Sequence, residues 1–200
     1  MMKAAEIRAL VCAPWRHGDC VDLSGVVCEG TLDLAGLDLT GVDFTGASFP
    51  DGIDATGTRF LGVSWFSNAR FGGKTLFAHA VFTNDARFDQ AIFAAEACFE
   101  GAEFRGIARF DRADFAMGAN FQRVACYGNF SLHGVWVRGK ASFQKAEWLG
   151  GLWCEAAQLP ENADFADTQV HGRLWLRNAL VGNRRLRSGT FPLSYGYTYN

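Results

Sequence analysis

Cys12, His17, Cys20 and Cys28 form the one grouping in this sequence whose side chains carry metal-ligand chemistry. Their cysteines fall eight and eight apart. A structural zinc site draws its thiolates from close CxxC pairs, so these are better read as small apolar side chains. The four histidines, His17, His79, His133 and His171, are scattered and read as solvated surface groups. No GxxxxGK[ST], no GxGxxG after a strand, no HExxH and no GxSxG occurs. The expectation is a chain without a catalytic site, a cofactor or a bound metal.

Binding chemistry is better represented, and its positions depend on what repeats. Large apolar residues recur at Leu34, Leu39, Phe44 and Phe49, then at alternating steps of six and five. The series runs through Phe60, Phe66, Phe71, Phe77, Phe82, Phe88, Phe93, Phe99, Phe104, Phe110, Phe115 and Phe121, and on to Val181. Extended back to Leu23 it defines 30 centres, which hold 16 of the 18 phenylalanines where random placement gives about three. No centre is charged, and neither is any position two residues earlier, where 15 of 30 are Ala. Sixty positions that exclude every charge are a core. Spacings of five and six do not fit a 3.6-residue helical stripe. Gly25, Gly36, Gly41 and Gly46 would each weaken a helix by about 1 kcal/mol. Very short strands at the corners of a solenoid fit better.

The stretches LTGVDFTGASF and ARFDRADFAMG resemble the pentapeptide repeat family, with its A(D/N)Lxx unit, over about Val21 to Val181. The resemblance implies an all-β, right-handed quadrilateral β-helix in which the centre and the residue two before it point inward. Four steps, 22 residues, then make one coil, and thirty faces about seven and a half coils. The sixth residue in alternate units departs from the family pattern and should bulge two of the four corners. Residues 1–20 are expected to be an N-terminal cap, 21–181 the β-helix, and 182–200 a tail with an edge strand. Within the cap, KAAEIRALVC reads as a short helix with Ile7, Leu10 and Val11 on one side.

Residues 22 apart should stack on one side of such a coil. The outward position before alternate centres reads Asp43, Trp65, Arg87, Arg109, Ser131, Trp153, Trp175. Exposed Trp beside Arg is the composition of a binding hot spot, so Trp65, Arg87, Arg109, Trp153 and Trp175 are the expected partner-binding face. In the tail, Phe191, Leu193, Tyr195, Tyr197 and Tyr199 alternate with Pro192, Ser194, Gly196, Thr198 and Asn200. That is a strand pattern. It reads either as a cap on the last coil, folded back over the tryptophans, or as a self-association edge forming a homodimer.

Net charge is −2, but eight acids and no Lys or Arg lie between His17 and Thr58, whereas five arginines and no acid follow Thr168. So small a net charge argues against a nucleic-acid partner. No apolar run is long enough for a membrane span. Glu6 and Arg8 interrupt any signal-peptide core, which makes a reducing, cytoplasmic location with free cysteines the expectation. The first functional reading is a non-catalytic interaction scaffold for an unidentified protein partner. The alternative, by likeness to the quinolone-resistance members of the family, is a DNA-mimicking modulator of DNA gyrase.

Overall fold

A computed structural model describes all 200 residues. The chain winds as a solenoid whose strands, two or three residues long, stack into four long sheets of nine, eight, six and eight strands. One turn shows the path: Ser64–Trp65, Arg70–Phe71, Thr75–Leu76 and Val81–Phe82 lie on four successive sides. Ala86–Arg87 returns to the first side and pairs in parallel register, Ser64 opposite Ala86 and Trp65 opposite Arg87. The repeat length is therefore 22 residues, as the spacing of the phenylalanines implies.

The core follows from that register. Of the 30 centres only Val181 is not buried. The phenylalanines make four parallel stacks, one for each side of the coil. Examples are Phe66 on Phe88 (4.9 Å), Phe71 on Phe93 (4.8 Å), Phe77 on Phe99 (5.2 Å) and Phe60 on Phe82 (4.6 Å), with edge-to-face contacts between stacks. Buried Ala at the second inward position leaves room for the rings, which lets a narrow interior fill without voids.

The two kinds of step make two kinds of corner. At five-residue steps the backbone closes a tight turn, as where the Ala69 amide donates to the Phe66 carbonyl at 3.1 Å. The residue two past the centre then has positive φ: Gly36 and Gly46 in early coils, but Asn68, Gln90, Arg112 and Lys145 later. At one of the six-residue corners glycines stack instead. A Cβ on Gly150 would lie 2.4 Å from the backbone of Gly128, and one on Gly172 equally close to Gly150.

Both ends differ from expectation in detail. Helix α1, Ala4–Val11, covers the first coil with Ile7 and Val11 buried, but Leu10 is 44% exposed and does not share their face. Its last carbonyl, on Val11, accepts from the Thr40 amide, joining cap to coil. At the other end the tail is not one strand. After a short antiparallel return at Arg184–Arg185, Leu193–Ser194 and Thr198–Tyr199 pair in parallel on Gln169–Val170 and Leu174–Trp175. Residues 193–199 thus extend two of the four sides of the rod, which reaches about nine turns. Phe191 is buried against Phe165 (5.1 Å) and Trp148 (6.2 Å). It plugs the end of the core.

Candidate partner-binding face

Trp65, Arg87, Arg109, Trp153 and Trp175 lie in one column on the outer surface of the nine-stranded sheet. Backbone pairing runs Asp43, Trp65, Arg87, Arg109, Ser131, Trp153, Trp175, Tyr199, each residue directly opposite the next. The strands hold these side chains outward because their neighbours on either side, such as Ala86 and Phe88 around Arg87, point into the core.

A match to a family model described as pentapeptide repeats (9 copies) covers residues 55–97 and 88–136. Residues 55–136 are built of pentapeptide repeats. The matched stretch is less than half of the chain, and the coil continues on both sides of it, from Cys20–Asp22 to Thr198–Tyr199. No curated protein matches the chain.

Within the face the side chains group into two halves. Toward the N-terminal end, the Arg87 guanidinium sits over the Trp65 ring at 5.4 Å, a cation–π geometry. Arg109 bridges Asp89 at 3.0 Å and Asp111 at 2.7 Å. Asp111 also accepts from the Ser131 hydroxyl, and Asp89 from that of Ser67 at 3.3 Å. Burial pushes the Asp89 carboxyl up, Arg109 opposes this, and nearby Asp111 adds to it. Toward the C-terminal end, Trp153 stacks on Trp175 at 4.6 Å and Trp175 on Tyr199 at 3.9 Å, their planes nearly parallel. The tail therefore covers Trp175 with a single ring. Trp153 keeps one face uncovered by aromatic neighbours, and its indole N–H donates to Glu155 at 3.4 Å.

The tail residues separate. Leu193, Tyr195 and Tyr197 are exposed, Tyr197 at 81%, while Tyr199 belongs to the stacked column. On a neighbouring side, Trp136 is 49% exposed beneath the Arg138 guanidinium (4.7 Å), which Asp114 grips with both oxygens at 2.6 and 2.7 Å. Applying the 22-residue rule to this second side finds it: Ser48, Arg70, Ile92, Asp114 and Trp136 form its outward column. Of the cysteines, Cys28, Cys126 and Cys154 are buried and Cys12 and Cys20 exposed. No helix is long and apolar enough to cross a membrane.

Proposed function

We propose that this protein is a non-catalytic scaffold that presents the column from Trp65 to Trp175 to a protein partner. The observation that carries this reading is the aligned run of tryptophan and arginine on one rigid sheet. Arg87 and Arg109 are preset by Trp65 and by two carboxylates, so little side-chain freedom remains to be lost on binding. The filled interior argues for recognition on the outside rather than chemistry within. Affinity capture from the host with wild-type protein and with a Trp65→Ser/Trp153→Ser double variant tests the face. A partner retained equally by both sinks the proposal.

A second reading rests on the acidic first coils, where Asp22 and Asp43 pair in register and Asp33 lies opposite Asp54. Carboxylates in rows could imitate a phosphate backbone. Against it, the column beside the tryptophans runs Ser67, Asp89, Asp111, His133, Glu155, Arg177, a broken stripe. A gyrase supercoiling assay decides it, since no inhibition or protection at micromolar protein ends the analogy. Self-association through Leu193, Tyr195 and Tyr197 is tested by light scattering with and without residues 183–200. An unchanged mass removes the tail as its basis.

A further inference from the structure

The stack of rings on the binding face stops at Trp153, because the next position in register is Ser131. Beyond Ser131 stands Arg109, so a small hydroxyl sits between two large planar groups. The result is a notch of about 340 Å³ walled by Trp153 and Arg109, with Ser131 as floor and Asp111, His133 and Glu155 along its rim. Adjacent strands lie about 4.8 Å apart, so Trp153 and Arg109 are separated by about two such spacings. That leaves room for one planar group stacked on the open face of Trp153.

The charges around the notch choose the group. Asp111 and Glu155 line the notch with a single arginine, Arg109, which is already held by Asp89 and Asp111. Glu155 has no arginine or lysine partner. It lies 3.9 Å from the His133 ring and accepts only the Trp153 indole hydrogen bond. A neutral aromatic ring inserted here would take water from Glu155 and return no cation. A guanidinium satisfies both surfaces: its plane stacks on Trp153, and its N–H fork donates to Glu155. We propose that the notch over Ser131 receives an arginine side chain presented by the partner protein. The inference rests on the interaction-face reading above and names the chemistry that face selects.

The test uses the full chain and three short peptides, Gly-Gly-Xaa-Gly-Gly with capped ends, where Xaa is arginine, lysine or citrulline. The probe is the Trp153 indole N–H resonance. The arginine peptide should shift it saturably, and citrulline and lysine should bind at least about tenfold more weakly. Ser131→Arg places a guanidinium in the notch from within and should abolish the response. Should that variant fail to fold, Glu155→Gln gives the same reading through a weakening of about tenfold. Equal responses to arginine and citrulline, no shift at all, or an undiminished shift in either folded variant overturns the proposal. A Trp153 shift on concentrating the protein alone would assign the arginine to a second copy and overturn a foreign partner. If the peptides leave Trp153 unmoved while a captured partner still depends on Trp65 and Trp153, the notch is wrong and the face stands. If no face-dependent partner exists, the face itself is wrong.

Discussion

Tyr199 lies face to face with Trp175, ring centroids 3.9 Å apart and planes within 11°. The final turn is thus tied to the rod by a stacked ring as well as by the pairing of Thr198–Tyr199 with Leu174–Trp175. Tyr199→Ala should lower the unfolding free energy by about 0.5–1.5 kcal/mol. It should also shift tryptophan emission to longer wavelength as Trp175 meets water. Urea titration followed by fluorescence reads both, and an unshifted spectrum would mean the ring does not cover Trp175 in solution.

Phe99 is stacked between Phe77 at 5.2 Å and Phe121 at 5.1 Å and has no exposed surface. Phe99→Ala opens a void in the middle of the rod and should cost about 3–5 kcal/mol. Phe99→Leu, which keeps most of the volume, should cost clearly less. Equal losses would show that the stack relaxes around the missing ring.

Two backbone substitutions should act in opposite directions. Gly150→Ala puts a Cβ 2.4 Å from the Gly128 carbonyl and forces two coils apart, at about 1–3 kcal/mol. Ala156→Gly relieves a residue held at φ 56° and should stabilise by about 0.5–1 kcal/mol, once the extra freedom of the unfolded glycine is counted. Thermal melts of both variants check the signs.

Burial raises the Asp89 carboxyl above its ordinary range despite Arg109. The folded chain therefore holds this proton more tightly than the unfolded chain. Its contribution to stability is full below the unfolded carboxylate pKa and is lost as pH rises through the folded value. Asp89→Asn removes that loss, so the variant should gain on wild type between about pH 4 and about pH 7. Denaturation at both pH values measures the gap, and one that does not widen with pH contradicts the assignment.

Cys126 is buried and its thiol is pushed up to about 12, while Cys154 is raised still further by complete burial. Cys28 is buried as well, and burial raises it with help from Asp51. A thiol reagent at mildly alkaline pH should label exposed Cys12 quickly, Cys20 (whose thiol burial, Asp43 and Asp22 push up) and half-buried Cys98 more slowly, and the buried three only on unfolding. Rapid loss of all six thiols in the native protein would show that the coils open easily.

What was legible in the sequence followed from exclusion. A charged residue cannot sit at Phe88 or Ala86, so the inward positions announce themselves, and a fixed repeat of 22 places Trp153 over Trp175 without coordinates. Features that depend on neighbours were hidden. The alternation from Phe191 to Tyr199 is the same in a straight strand and in a coil that turns at Gly196. Only the pairing of Leu193–Ser194 and Thr198–Tyr199 on two different sides of the coil tells them apart. The left-handed corners at Arg112, Lys145 and Ala156 carry no glycine to mark them, because a repeating ladder of hydrogen bonds fixes the backbone there whatever the residue. In the sequence Ser131 is only the small member of the column. Its meaning comes from the rings on one side and the guanidinium on the other.

Because successive turns meet in the same register along most of the rod, its length is a modular quantity. Copying a block such as residues 78–99 in tandem inserts a storey whose floor and ceiling already match the neighbouring storeys. Removing a single residue from the same block rotates every later side chain away from its seat. Such a chain can grow or shrink in whole storeys while both terminal structures stay as they are, and the distance between its acidic and its arginine-rich poles changes in equal increments.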